Sequence, residues 1–403
     1  MNTYNTLDLK PDMFITAETR IDNTFLLLTP QTPITQTLIQ ALLDWNFNSV
    51  ISTGTLVDKT SMTKENESQK NSEVNIPAAE RIKRSIAEIT KEAKSRFELV
   101  KQVYNEYIDF IIYTYTRYAT HSELNYQEIY DVVKDLCLFV NQNRRYVLQV
   151  NPPIDPDNKN FLVNHSMRST ILSIVMGIQL KAPLSKLTEI GVACILHEIG
   201  MIKFPPQFYM TNKTLTPAER KIMLTHPLLS YEILKTFDFP IQIARAALEH
   251  HEKENGTGYP RKLKSKDICL YAKIISVACS FEAITAPRHH RDAKNSHEAM
   301  VEMLRNKGNQ YDEIVIKALL SSMSLYPIGS YVSLMDGSIA LVADTNPEDP
   351  KNPIIQFLNG KTTKDGAKFT KSGTDEALIT RVLTKEEVEE YKKQANLSQP
   401  DNN

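Results

Sequence analysis

The feature that most constrains this chain is a set of five histidines in its middle: His165, His197, His226, His250 and His251. They make up most of the histidine present, because only nine occur in 403 residues. Each lies in or at the end of a segment with helical periodicity, and most are a few tens of residues apart. A zinc finger would place its ligands much closer in sequence. The spacing therefore predicts a helical bundle whose helices converge metal ligands on one interior point.

The charge balance limits the partners that the chain can attract. Lys and Arg together number 47 and Asp and Glu 48, which gives a net charge of −1. Such a chain has no overall field that would draw it to a nucleic acid polymer or an anionic membrane. We therefore expect no nucleic acid polymer as a partner, and we expect any anionic ligand to be held by a local pocket.

The apolar segments are too short for a membrane crossing. The stretch 170–180 falls far short of the roughly 20 residues that a bilayer span needs. The N-terminus, MNTYNTLDLK, has neither a basic start nor an apolar region of the kind found in a signal peptide. These patterns predict a cytoplasmic protein without membrane insertion.

Changes in periodicity divide the chain and predict a mainly α fold. A small N-terminal α+β module is followed by a polar linker without aromatic residues, and then by long amphipathic helices that can pack on the bundle or pair two subunits into a homodimer. After the bundle, alternating segments predict a small β-barrel-like domain, closed by a short helix and a polar tail. The predicted boundaries are 1–51 for the module, 52–77 for the linker, 78–150 for the leading helices, 151–325 for the histidine-bearing domain, 326–384 for the β domain and 385–403 for the last helix and tail.

Two helix ends near the histidines can be predicted from local signals. Thr216, Pro217 and Glu219 have the spacing of a capping box at the start of the helix that carries His226. Gly200 is expected to end the helix that carries His197.

The four cysteines, Cys137, Cys194, Cys269 and Cys279, do not have CxxC spacing. Their scattered positions in apolar helical segments argue against a disulfide framework and against a zinc ribbon. Three of them are expected to be core residues. Cys279, in SVACSF, fits core packing and metal ligation equally well.

Two local patterns then give the histidines a chemical context. His197 and Glu198 are adjacent, so that an imidazole and a carboxylate can share two metal ions. His250 and His251 are followed by GTGYP at 256–260. With NHSMRST, LTPAE and THPLLSYEIL in order around them, residues 160–330 resemble the HD-GYP family of metal-dependent phosphohydrolases. The resemblance implies an all-helical HD-type bundle and a phosphodiesterase that degrades cyclic di-GMP to pGpG or GMP.

The resemblance also implies the metal ligands, and here it involves departures from the family pattern. The implied ligands are His165, His197, Glu198, His226, His250, His251 and Cys279, with Glu198 and His197 as catalytic residues. The family's HD doublet is HE in this chain, and a later aspartate ligand is replaced by Cys279, which favours softer metals. The glutamate that adds a third metal in some members corresponds to Phe161. We therefore expect two divalent ions, of iron, manganese or zinc.

The resemblance further implies the residues that contact the substrate. These are Arg288 and Arg291 for phosphate, and Gly256, Gly258, Tyr259 and Pro260 in a loop that faces either guanine or a signalling protein partner. The lysine that follows the doublet in the family is replaced by Met201. Lys203, two residues on, is expected to point elsewhere.

Three functions remain open at this point. The first is an active cyclic di-GMP phosphodiesterase with an altered metal site. The second is a catalytically silent cyclic di-GMP receptor, which the changes at Met201 and Cys279 favour. The third is a hydrolase of another nucleotide or phosphate ester.

Overall fold

The computed structural model describes most of the chain in full atomic detail. The described residues are 2–17, 19–20, 26–28, 33–44, 47–58, 96–150, 161–205, 216–286, 294, 296–326, 328–346, 348–358, 360–363, 366–375 and 377–397. Arg288 and Arg291, and residues 59–95 with most of the predicted linker and the start of the long helix, lie outside them.

The N-terminal module combines short antiparallel strands with one helix. In chain order its elements are β1 Asn2–Asn5, β2 Phe14–Ile15, β3 Thr19–Arg20, β4 Leu26–Leu28, α1 Gln36–Asp44, β5 Ser49–Ser52 and β6 Leu56–Val57. The strands form one sheet in the order β1-β5-β3-β4 and a second from β2 and β6. Strand β6 therefore pairs within this module although it lies in the range 52–77. Thr35 begins α1 by accepting a hydrogen bond from the Leu38 amide at 3.1 Å.

The middle of the chain is helical. Its α-helices are α2 Arg96–His121, α3 Tyr126–Val147, α4 Phe161–Gln179, α5 Leu184–Leu196, α6 Pro217–Met223, α7 His226–Thr236, α8 Ile241–Glu249, α9 Leu270–Thr285, α10 Ser296–Arg305 and α11 Glu313–Met323. Helix α4 packs against α5, α9 and α11. It is buried on most sides, as a central helix is, and its apolar side chains join the two hydrophobic clusters of the bundle.

Helix α2 packs on this bundle. Val103, Tyr107 and Phe110 recur at three- and four-residue steps on one face and are almost completely buried. The part of the long predicted helix that the structure describes therefore contacts α3 and α4. Asn125 caps the next helix, α3, by accepting a hydrogen bond from the Glu128 amide at 3.1 Å.

The predicted capping box forms, but it begins α6, which ends at Met223, whereas His226 is the first residue of the separate helix α7. The prediction that this box starts the helix carrying His226 was therefore wrong. The Thr216 hydroxyl accepts a hydrogen bond from the Glu219 amide at 3.2 Å, and the Glu219 carboxylate accepts one from the Thr216 amide at 2.7 Å. This box fixes where the chain enters the helix that leads to His226.

The C-terminal domain is a five-stranded antiparallel sheet followed by a helix. Its elements are β7 Tyr331–Leu334, β8 Ile339–Asp344, β9 Ile354–Phe357, β10 Phe369–Lys371, β11 Ile379–Val382 and α12 Lys385–Leu397, with the strand order β10-β9-β8-β7-β11. The alternation in β7, β8 and β9 places Val332, Val342 and Ile355 in a separate small core. Asp336 and Gly337 form the turn between β7 and β8, in which Gly337 has a φ of +81°.

These observations confirm a mainly α fold with a helical core and small sheets near both ends of the chain. Within the described ranges, no helix has the length and apolar character that a membrane span requires.

Candidate metal centre

The five histidines of the sequence pattern lie at the inner ends of different helices. His165 lies one turn into α4, and His226 is the first residue of α7. His197 directly follows the last residue of α5, and His250 directly follows α8. Because helix ends from separate parts of the chain meet at one point, ligands distant in sequence become neighbours in space.

Two groups of potential metal ligands form where these ends meet. In the described part of the chain, one group contains Glu198, His226, His250 and His251, and the other contains His165, His197 and Cys279. Within each group, the ligand atoms lie within 4.8 Å of one another. The structure thus brings together all seven residues that the family resemblance implied as ligands.

Glu198 lies between the two groups. Its Oε1 is 3.7 Å from His197 Nε2 and 3.9 Å from His165 Nε2, while its Oε2 is 3.4 Å from His226 Nε2. Oε1 also lies 4.0 Å from His250 Nε2, so the carboxylate is within reach of imidazoles of both groups. The longer side chain of glutamate, compared with the aspartate of the family doublet, still reaches this position.

Backbone carbonyls orient three of the imidazoles. The Nδ1 atoms of His197, His226 and His250 lie 2.5, 2.8 and 2.7 Å from the carbonyl oxygen three residues earlier in the chain. A carbonyl only accepts, so each Nδ1 carries the hydrogen and each Nε2 keeps its lone pair. The three Nε2 atoms therefore face the centre as ready ligands.

His165 is oriented by a carboxylate instead. Glu282 Oε2 lies 2.6 Å from His165 Nδ1, and Glu282 is only 2 % exposed. Partners of this kind fix the tautomer of a metal-binding histidine and raise its basicity. Sequence reasoning missed Glu282. It could have been predicted from its position three residues after Cys279 in the largely apolar helix α9, because a charged residue is rarely buried there without a partner.

The charge state of the centre also suits cations. Burial lowers the pKa of His197 to about 4 and the pKa values of His250 and His251 well below their ordinary value. Burial alone would raise the pKa of the Glu198 carboxyl, but the surrounding imidazoles, His226 first among them, hold it at about 2. The neutral imidazoles of His197, His250 and His251 near the ionised Glu198 offer lone pairs that divalent cations can bind.

Gly200 has a different role from the predicted one. Helix α5 ends at Leu196, and Gly200 lies inside a 3-10 turn, Ile199–Lys203, that follows. A Cβ on Gly200 would lie 2.4 Å from the carbonyl oxygen of His226 and 2.7 Å from the amide nitrogen of Ser230. The prediction that this glycine ends the helix was wrong, because the residue instead allows the turn to pack directly against α7.

Ser230 joins these two segments. Its hydroxyl donates to the His197 carbonyl at 2.7 Å and accepts from the Gly200 amide at 2.9 Å. The hydroxyl is completely buried and uses both its donor and its acceptor capacity. The position of His197 is therefore tied to the helix that carries His226.

The GTGYP segment packs against the centre. Gly256 has a φ of +77°, and a Cβ on Gly258 would lie 2.4 Å from the backbone nitrogen of Lys253. The Tyr259 ring stacks on His251 with ring centroids 4.6 Å apart, whereas the next residue, Pro260, is exposed. The loop thus places an aromatic ring directly on one of the ligands.

A buried carboxylate holds this loop in place. Glu252 accepts hydrogen bonds from the backbone amides of Arg261 at 2.7 Å and Leu263 at 2.9 Å. Since Glu252 is only 2 % exposed and follows His251 directly, the loop is anchored at the ligand itself.

Three further residues, at or next to positions that depart from the family pattern, make packing contacts and not ligand contacts. Met201 is buried in the main hydrophobic core. Lys203 is exposed, and its Nζ lies 5.1 Å from the centre of the Tyr118 ring, so it is engaged away from the ligands. Phe161 stacks on His165 with ring centroids 5.7 Å apart. Aromatic packing thus occupies the position at which some family members have an additional ligand.

Comparison with known proteins identifies the domain type. The family model of the HD domain matches residues 149–315. A cyclic di-GMP phosphodiesterase from Borreliella burgdorferi, PdeB, is 29% identical over 204 residues, which cover 50% of this chain and 54% of that protein. A cyclic di-GMP phosphodiesterase from Thermotoga maritima is 38% identical over 135 residues, covering 33% of this chain and 37% of its own length.

A third relative acts on another cyclic dinucleotide. The 3'3'-cGAMP-specific phosphodiesterase 3 of Vibrio cholerae is 29% identical over 167 residues, covering 41% of this chain and 36% of that protein. The chain therefore spans about half or less of the length of these curated relatives.

Proposed function

We propose that the protein is a metal-dependent phosphodiesterase of the HD-GYP family that hydrolyses cyclic di-GMP to pGpG or GMP, because residues 149–315 match the HD domain and the chain is similar to cyclic di-GMP phosphodiesterases. The observation that carries the proposal is the pair of ligand groups that share Glu198. A carboxylate between two clusters of neutral imidazoles is a costly arrangement inside a protein unless it binds cations.

We assign two divalent metal ions to this centre. His165, His197 and Cys279 would hold one ion, and His226, His250, His251 and Glu198 would hold the other, with Glu198 close enough to the first group to contribute there as well. Iron, manganese and zinc are all compatible with imidazole and carboxylate donors. When bound, the pair supplies Lewis acidity that polarises a phosphodiester and makes water nucleophilic near neutral pH.

The residues of the chain prepare the centre for that chemistry. Glu198 and His197 are assigned the catalytic roles because their side chains lie where the two groups meet. The hydrogen bonds at the Nδ1 atoms keep each ring in one orientation, which limits reorganisation when substrate binds. Arg288 and Arg291 are proposed to grip phosphate oxygens through their guanidinium groups.

The GTGYP loop is proposed to form one wall of the substrate site. Tyr259 covers His251, and Gly258 allows the close backbone approach that this packing requires. Gly256 turns the chain, and the exposed Pro260 lies on the outer side of the loop, where a signalling protein partner would dock.

A specific observation favours a silent receptor as the second candidate. The position of the family's substrate-contacting lysine holds the buried Met201, and Lys203 lies over Tyr118 and does not replace it. A pocket that keeps its ligands but lacks this cation would bind a cyclic dinucleotide and cleave it poorly.

The decisive test measures turnover and binding on the same preparation. The full chain is loaded with manganese or ferrous iron and incubated with cyclic di-GMP and, in parallel, with 3'3'-cGAMP. We expect linear product from cyclic di-GMP, none from the Glu198→Gln variant, and unchanged turnover in the matched control Lys203→Ala. Binding without cleavage would overturn the phosphodiesterase in favour of the receptor, and faster cleavage of 3'3'-cGAMP would reassign the substrate.

The remaining parts of the chain are proposed to serve regulation. The N-terminal module and the C-terminal sheet have their own small cores, which suits domains that transmit a signal to the catalytic bundle. A homodimer through the helical segment 78–150 and a cytoplasmic location stay predictions from the sequence.

A further inference from the structure

The two ligand groups are chemically unequal. The group around His226, His250 and His251 offers three imidazole nitrogens and carboxylate oxygen. The other group offers two imidazole nitrogens, from His165 and His197, together with the sulfur of Cys279. Only the group formed by His165, His197 and Cys279 therefore contains a thiol.

The thiol is positioned as a ligand and not only as core packing. Cys279 Sγ lies 3.2 Å from His197 Nε2, the atom of that ring that keeps its lone pair. Without a metal, the thiol can donate its proton to this nitrogen. A cation between them and His165 Nε2 would satisfy all three donors at once.

Ligand softness decides which ions such positions hold. Thiolate sulfur favours zinc over manganese, whereas carboxylate and imidazole donors without sulfur accept manganese and iron. A set of two imidazoles, one thiolate and one carboxylate oxygen also has the four donors that zinc commonly takes. The two positions should thus differ in selectivity even though they share Glu198.

We propose that the centre is a mixed-metal site, in which the position formed by His165, His197 and Cys279 binds zinc through a thiolate and the position formed by His226, His250 and His251 binds manganese or ferrous iron. This inference rests on the metal centre of the proposed function and adds that the two positions select different metal ions. Zinc at the first position acts as a tightly held ion, and the second position holds the more exchangeable ion.

A second buried cysteine provides a matched control. Cys194 is completely buried close to Cys279, and its sulfur accepts a hydrogen bond from the Ser173 hydroxyl at 3.4 Å. It has the same chemistry and similar burial but is not a member of the ligand group. Cys194→Ser therefore reports the effect of removing a thiol from this region without removing a ligand.

The first test uses cobalt as a spectroscopic probe for zinc. Metal-free full-length protein titrated with Co²⁺ should develop an intense near-ultraviolet charge-transfer band from one thiolate, complete at one equivalent. We expect Cys279→Asp to lose the band while still binding two metal ions per chain, and Cys194→Ser to keep it. A band that survives in Cys279→Asp, or that disappears in Cys194→Ser, would overturn the proposal.

The second test needs no variant and remains valid if Cys279→Asp does not fold. Metal-free wild-type protein receives one equivalent of Zn²⁺ in the presence of excess Mn²⁺, and unbound metal is removed. Elemental analysis should give one zinc and one manganese per chain, and electron paramagnetic resonance should show isolated, uncoupled manganese. Two coupled manganese ions, or zinc divided equally between both positions, would refute the assignment.

Failure of this inference and failure of the proposed function can be told apart. The metal measurements use no nucleotide, so a mixed-metal centre that does not cleave cyclic di-GMP would refute only the phosphodiesterase. A protein that cleaves cyclic di-GMP with manganese in both positions and no thiolate band would refute only the mixed-metal site.

Discussion

Glu282 offers the sharpest test of how this centre is held. Its carboxylate lies 2.6 Å from His165 Nδ1 and is almost fully buried, so the hydrogen bond is charge-assisted. In Glu282→Gln, the side-chain carbonyl can still accept from Nδ1–H but carries no charge. Charge-assisted hydrogen bonds contribute about 1.5–3 kcal/mol and neutral ones about 0.5–1.5 kcal/mol, which leaves a loss of about 1–1.5 kcal/mol. We therefore expect metal affinity at the His165 position to fall about tenfold, since about 1.4 kcal/mol corresponds to a factor of ten.

A graded series makes this prediction specific. Glu282→Ala removes the acceptor altogether and should cost about 100-fold, the upper end of what partners of metal-binding histidines contribute. The control is Glu189→Gln on α5, where a carboxylate accepts from the Tyr271 hydroxyl at 2.6 Å outside the ligand groups. Affinities are measured for zinc by competition with a chromogenic chelator. If Glu282→Gln binds zinc as tightly as Glu189→Gln and wild type, Glu282 does not tune His165 and the reasoning fails.

Three further predictions concern the packing and the charge of the centre. Gly200→Ala should destabilise the fold by about 1–3 kcal/mol in urea denaturation, because the new Cβ meets the backbone of α7 at 2.4 Å, and it should also weaken metal binding through His226. Gly258→Ala should cost a similar amount, about 1–3 kcal/mol, since its Cβ meets backbone atoms near His251. The pKa of His197 is about 6.5 in the unfolded chain and about 4 in the folded protein, so the unfolded chain is protonated first as the pH falls. The free energy of unfolding of the metal-free protein should therefore decrease between these two pH values. At about pH 5, this one histidine lowers it by about 2 kcal/mol.

Each of these has a clear contrary outcome. Unchanged urea midpoints in either alanine variant would mean that the backbone relaxes at no cost. A metal-free protein whose denaturation midpoint is the same at about pH 5 and about pH 7 would show that His197 does not stay neutral in the folded state. All three measurements use far-ultraviolet circular dichroism on the full chain.

Caps and turns can be predicted from sequence when the residues that form them are neighbours in the chain. Thr216 and Glu219 form their capping box within four residues, and the Asp336-Gly337 turn is set by one left-handed glycine. Strands β1 and β10 carry no strong strand signal of their own, because Asn2–Asn5 is polar and Phe369–Lys371 is short, and both gain their strand character from the neighbours with which they pair.

The candidate site divides in the same way. The family resemblance implied the seven ligands, and the structure brings their side chains together. Glu282 and Ser230 could not be found in this way, because each acts on a histidine that is far away in sequence, 117 residues for Glu282 and 33 for Ser230. Gly200 was misassigned for a related reason: its neighbour is not the next turn of its own helix but α7, which only the tertiary fold brings close.

The stacking of Tyr259 on His251 connects the protein surface directly to the candidate metal centre. Pro260 faces solvent, and the residue before it touches an imidazole of the reactive core. The Tyr259 side chain alone lies between the exposed Pro260 and the imidazole of His251. A change in the position of Pro260 would therefore act on the His251 ring through the single ring of Tyr259.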